Sequence, residues 1–244
     1  MALLDTWTRG EHVDAAGTGH PTYRKGEGPG VVLIHEIPGI SPEVIRYADE
    51  LVVAGHTVVM PELFGRAEAP VGPASVARAM AQICISREMS MLAAGETTPV
   101  AGWLRSLARA LHADVGGPGV GALGMCFTGG FALAMMVDDA VAAPVLAQPS
   151  TPFPLGRRRA ADLQLSPADL DVVRSRAAAG CQVLGLRYRG DRMVGRRFDT
   201  LTRELGDAFL RVDLPGSKHS TLTLHRHQDA ADAVLAFFAE RLRG

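Results

Sequence analysis

The chain has 244 residues, 47% apolar and 21% charged, a balance that excludes a disordered chain and gives enough length to bury a core without disulfide or metal staples. Its formal net charge of −1 excludes the broad basic surface that a nucleic-acid or anionic-membrane partner requires. Three cysteines (Cys84, Cys126 and Cys181) are odd in number and too few for a disulfide framework, and residues 1–7 lack the basic start and apolar run of a signal peptide, so the expected compartment is the reducing cytoplasm.

Gly28-Pro29-Gly30 precedes the first buried strand, expected over residues 31–35. Ser41-Pro42 then opens a helix, with Ser as N-cap and Pro at the first helical position; Val44, Ile45, Ala48, Leu51 and Val52 give it an apolar face, and Gly55 stops it. A strand is expected over 56–61, helices over 76–93 and 100–111, a strand over 120–125 and a helix over 128–137. Residues 115–137 carry no charge and are long enough on paper to span a bilayer, but Pro118 and seven glycines interrupt them; a buried strand, a tight turn and a buried helix fit better.

A strand over 142–148 is followed by the one long Pro-rich loop, 149–167, which carries Arg157-Arg158-Arg159. Ser166-Pro167-Ala168-Asp169 caps a helix running to Gly180, strands follow over 182–188 and 209–214, and a helix over 227–242 closes the chain. Strands alternating with helices predict an α/β fold: a mostly parallel, doubly wound sheet with helices on both faces, in a single domain over residues 1–244.

The most informative block is Gly121-Ala122-Leu123-Gly124-Met125-Cys126-Phe127-Thr128-Gly129-Gly130, where a strand runs directly into a helix with Cys126 at the junction. A turn of this kind, the nucleophile elbow, lifts its central side chain clear of the sheet, and small residues are needed where strand and helix backbones pass closely. Gly124, Gly129 and Gly130 meet that need, and Thr128 stands where a glycine is usual. The helix N-terminus favours a thiolate there. Packing filler is the competing reading of a Cys in an apolar run. The glycines at 119, 121 and 124 match a dinucleotide fingerprint in spacing only, since they fall before or within the strand; phosphate-loop spacing fails because Gly130-Phe131 stands where Lys-Ser/Thr is required.

A thiol nucleophile needs a base, and the base an orienting carboxylate. Asp191 follows the 182–188 strand and His219 follows the 209–214 strand, so both fall at C-terminal strand ends and in the order nucleophile, acid, histidine. His35-Glu36 is not a zinc motif, because Gly39 occupies the second histidine's position, and no other metal-ligand clustering is evident. His225 and His227 read as solvated flanks of the last helix, and Cys84 and Cys181 as packing residues.

On these residues the chain resembles the dienelactone hydrolase family of the α/β-hydrolase superfamily, from the His35-Glu36-Ile37-Pro38-Gly39 turn to the His219 loop, with Gly-x-Cys-x-x-Gly-Gly at 124–130 as the most specific part. The resemblance implies the α/β-hydrolase fold, a carboxymethylenebutenolidase-like activity on a small ester or lactone without cofactor or metal, and a monomer or small homo-oligomer with no nucleic-acid or membrane partner. It also implies Cys126 as nucleophile, Asp191 as orienting acid and His219 as base. The backbone amides of Ile37 and Phe127 match the family's oxyanion hole, Glu36 matches a glutamate that gates the nucleophilic thiol, and Arg87 corresponds in region to an arginine that binds a substrate carboxylate. Thr128, and Arg192 after Asp191, depart from the family pattern. Two rival readings stay open at this level: a nucleotide- or flavin-binding protein of doubly wound fold, and a non-catalytic descendant of the hydrolase fold.

Overall fold

Apolar runs with no polar alternation can be buried only where both faces of a sheet are covered, and the central strands of this chain have that character. A computed structural model describes residues 2–86, 89 and 95–243. Its strands are β1 (Thr8–Val13), β2 (Gly19–Lys25), β3 (Gly30–Ile34), β4 (Thr57–Pro61), β5 (Val120–Met125), β6 (Val141–Ala147), β7 (Val183–Tyr188) and β8 (Phe209–Leu214). They form one sheet in the order β1-β2-β4-β3-β5-β6-β7-β8. The β1–β2 and β2–β4 pairs are antiparallel; every other pair is parallel. Strands β3, β4 and β5 are buried along their whole length.

The helices are α1 (Pro42–Val53), α2 (Pro73–Ile85), α3 (Val100–Val115), α4 (Gly129–Met135), α5 (Gly156–Ala161), α6 (Pro167–Ala178), α7 (Arg197–Leu205) and α8 (Gln228–Arg241). Strand alternation sends Val32, Ile34 and Ala122 to a core built with α2, α3, α4, α6 and α7. It sends Val31, Leu33, Leu123 and Met125 to a second core built with α1 and α8. The doubly wound α/β architecture expected from the strand–helix alternation is the one observed.

Local signals explain several boundaries. The Ser41 hydroxyl accepts from the Val44 amide to cap α1, and Ser166 does the same for Asp169 at the start of α6, each with Pro at the start of its helix. Three elements are additions to the sequence reading: the β1–β2 hairpin, α5 within the 149–167 loop, and α7. The helix expected over 76–93 is observed as Pro73–Ile85, with Ser86 as its C-cap; part of the expected remainder lies outside the described residues. Among the described residues no helix is long and apolar enough to cross a membrane.

Candidate active site

Strand β5 is central in the sheet, and its chain turns at Met125 into a single 3-10 turn, Cys126–Thr128, before entering α4. Cys126 has φ 54°, a left-handed conformation that a non-glycine residue adopts at a cost of about 1–3 kcal/mol and only where its surroundings hold it. The elbow is packed so closely that the glycines around it have no room for a side chain. A Cβ on Gly124 would lie 2.2 Å from the Thr128 carbonyl oxygen, and one on Gly129 would lie 2.6 Å from Pro149 Cα. Thr128, the departure from a small residue, fills its place with a purpose. Its buried hydroxyl accepts from the Met125 amide at 3.1 Å and lies 3.1 Å from the carbonyl oxygens of both Ile34 and His35, tying the elbow to the end of β3.

The turns after β7 and β8 bring Asp191 and His219 together. His219 Nδ1 and Asp191 Oδ2 are 2.6 Å apart, with the Asp191 side chain 4% exposed and that of His219 26% exposed. This engagement at Nδ1 leaves Nε2 for the Cys126 thiol. Burial works to lower the His219 pKa, but the hydrogen bonds to Asp191 and Cys126, with the attraction of both groups, outweigh it and push it up to about 10. Asp191 is itself oriented by the Met193 amide, which donates to Oδ1 at 2.9 Å. Cys126, Asp191 and His219 therefore converge at the C-terminal edge of the sheet.

The oxyanion-hole candidates follow neighbouring strands, β3 and β5. Ile37 follows β3 and Phe127 follows Cys126; among the described residues neither amide donates to a backbone carbonyl outside its own turn. The Ile37 turn is set by His35, which is fully buried. The Leu63 amide donates to its Nε2 at 3.1 Å, so the ring proton sits on Nδ1 and is donated to the Glu36 carbonyl at 3.1 Å. Burial pulls the His35 pKa down to about 4, and the ring is neutral.

Glu36 is buried at the end of the same strand. The resemblance implies contact with the thiol; the hydrogen bonds its carboxylate makes here are with other groups. Ser220 donates to Oε2 at 2.9 Å, Thr223 donates to Oε1, and the Gln148 amide reaches Oε2 at 3.4 Å. Burial raises its pKa, opposed by those hydrogen bonds and by the nearby His219. The thiol's own neighbour is Ser150, whose Oγ is 3.4 Å from Cys126 Sγ. Arg87 lies outside the described residues. Cys84 is exposed and Cys181 half-buried, both as free thiols on other parts of the fold.

Ser150, Gln148 and the Thr128 clamp are absent from the sequence reading. Gln148 and Ser150 follow β6, at the same edge of the sheet as Asp191 and His219, so topology could have singled them out. Their residue types alone carry no such signal. A cleft of about 360 Å³ between α5, α6 and α7 is lined by Asp162, Arg174, Arg203 and Glu204 among others, and no triad residue lines it. Among the described residues no group of three His, Cys, Asp or Glu side chains is arranged to hold a metal ion. Gly121 and Gly124 lie within β5 rather than in the turn after it, unlike a dinucleotide loop.

Comparison with solved structures finds the same fold. A dienelactone hydrolase from Anabaena variabilis superposes with a TM-score of 0.66 at 16% identity, covering 98% of this chain and 100% of that one. A cold-adapted esterase from an Arctic intertidal metagenomic library gives 0.61 at 17% identity, covering 98% and 95%. The thioesterase domain from the curacin biosynthetic pathway gives 0.62 at 11%, covering 97% and 100%. A search of curated proteins finds no match. The family model for dienelactone hydrolases matches residues 16–164, more than half of the chain and all of the segment from β2 through the elbow to the loop after β6. The chain belongs to the dienelactone hydrolase family.

Proposed function

We propose that the chain hydrolyses a small carboxylic ester or lactone through an acyl-enzyme on Cys126, with His219 as proton carrier and Asp191 as its orienting acid. The observation that carries this reading is the 2.6 Å His219–Asp191 contact beside a cysteine held at φ 54° on a strand–helix elbow. Family membership supports the hydrolase class, and the triad gives that class a route.

Cys126 attacks as the thiolate, its proton held at Nε2 of His219. A carbon–sulfur bond forms, and the carbonyl π pair moves to oxygen, where the Ile37 and Phe127 amides donate to it. Collapse breaks the carbon–oxygen bond; the leaving alkoxide takes the Nε2 proton and departs as alcohol. In a lactone the alkoxide stays tethered to the acyl group. Neutral His219 then removes a proton from water, whose oxygen attacks the thioester carbonyl. The second tetrahedral adduct expels Cys126 thiolate and the carboxylic acid, leaving the proton on His219. A ring with a pKa near 10 suits this cycle, because it holds the proton at neutral pH until an alkoxide needs it.

Turnover of p-nitrophenyl acetate tests the reading. Cys126→Ala is expected to abolish it, while Cys84→Ala and Cys181→Ala keep the wild-type rate. Wild-type turnover by Cys126→Ala would overturn the assignment.

A further inference from the structure

Beyond the triad, the end of β6 carries a buried polar side chain that the hydrolytic cycle leaves unused. Gln148 is fully buried and follows Ala147 with φ 37°, a left-handed conformation that a glutamine adopts only where other bonds compensate. Its own amide donates to the Leu186 carbonyl on β7 at 2.7 Å, which anchors its backbone to the sheet. Its side chain faces the histidine loop. Oε1 accepts from the Thr221 amide at 3.2 Å and from the Thr221 hydroxyl at 2.6 Å.

The orientation of this side-chain amide is set by chemistry. A backbone N–H can only donate, so the oxygen must face Thr221 and the NH2 must face the other way. There it meets Glu36 Oε2 at 3.4 Å. Glu36 in turn accepts from Ser220 and Thr223. Of the four residues that follow His219, three are therefore held by one of two side chains, Gln148 or Glu36, which follow β6 and β3, the two strands that flank β5. All five side chains are buried. The donors around the Glu36 carboxylate are neutral hydroxyls and an amide, so the pair does its work by hydrogen bonds of fixed direction.

We propose that Gln148, acting with Glu36, is a positioning residue for His219: it fixes the 220–223 backbone to the sheet that also carries the Cys126 elbow, so that the ring meets thiol and Asp191 together. The inference rests on the reading of His219 as the proton carrier. Asp191 orients the ring at one atom only, and a ring whose backbone wandered would keep that bond while losing the thiol. Replacement of Gln148 by leucine strands the buried Thr221 N–H and frees the loop.

The test pairs Gln148→Leu with two changes on the other side of the bond, Thr221→Val, which lacks the hydroxyl, and Thr221→Ser, which restores it. With p-nitrophenyl acetate, Gln148→Leu is expected to lower kcat about 10- to 100-fold, as a small misplacement of a reacting group does, with KM within about twofold of wild type. Thr221→Val moves the same way and Thr221→Ser returns towards wild type. Titration of the His219 ring by NMR supplies a readout independent of turnover: the midpoint should fall from about 10 in Gln148→Leu, because burial is less opposed once the Cys126 interaction is lost. A folded Gln148→Leu with wild-type kcat and an unmoved His219 titration would overturn the proposal. If Gln148→Leu does not fold, Thr221→Val decides by the same two readouts. Turnover surviving in Cys126→Ala would instead sink the triad reading, and the His219 titration would still decide whether Gln148 positions the ring.

Discussion

His219 is the residue whose environment states its task most plainly. Its folded pKa lies near 10 against an ordinary 6.5, because Asp191 and Cys126 outweigh burial. Removing the Asp191 charge leaves burial less opposed, so Asp191→Asn should lower the ring's midpoint, read by NMR, and cut kcat by about 10³- to 10⁴-fold. A raised histidine pKa also stabilises the fold at pH below about 6.5, and that contribution is lost as pH rises through about 10. Wild type should therefore lose stability on the alkaline side more steeply than Asp191→Asn, measured by urea midpoints across that range. At this scale Cys126, Asp191 and His219, the proposed nucleophile, acid and base, could be singled out in the sequence because each sits where a strand pattern ends. The partners of Glu36 were not, since hydroxyls from 184 and 187 residues further along the chain converge on it only through the fold.

Among the elements, the loop after β6 is held in a way its composition hides. Arg197, at the start of α7, is 1% exposed and donates to the carbonyls of Thr151, Pro152, Arg159, Met193 and Val194. One guanidinium thus joins the loop after β6, the end of α5 and the turn that follows Asp191. Burial lowers its pKa to about 10, and it remains charged at neutral pH. Arg197→Met should cost about 3–5 kcal/mol, because several buried carbonyls lose a charged donor at once; Arg197→Lys should recover only part of it, since an ammonium lacks the planar fork. Chemical denaturation of both variants checks this. α7 escaped the sequence reading because its first turn holds Arg197, whose charge argues for solvent. The β1–β2 hairpin escaped because its first strand, Thr8–Val13, carries no buried residue, leaving no alternation to detect there. The Ser-Pro openings of α1 and α6 were legible, because a cap and a fixed φ act locally.

Over the whole molecule, the parallel strands β3 to β8 place Glu36, Cys126, Gln148, Asp191 and His219 along one edge, and the fold's stability is tied to the same end. His35 locks the turn between β3 and Ile37 as a neutral ring with a pKa near 4. Its contribution is fully present above about pH 6.5 and is lost as pH falls from there towards 4, about 3 kcal/mol in all. Urea midpoints of wild type should fall across that window more steeply than those of His35→Asn; parallel slopes would contradict the neutral buried ring. The doubly wound sheet was legible because buried parallel strands read as apolar runs between helical patterns, whereas the packing of loops over the site depends on contacts between distant segments. The proposed acyl-enzyme joins these scales, and rapid mixing with p-nitrophenyl acetate followed by acid quench and peptide mass analysis reads it directly. The expected result is a burst of about one p-nitrophenolate per chain, with an acetyl group on the peptide carrying Cys126. An acetyl group on any other residue, or steady turnover in a protein lacking the Cys126 thiol, would contradict it.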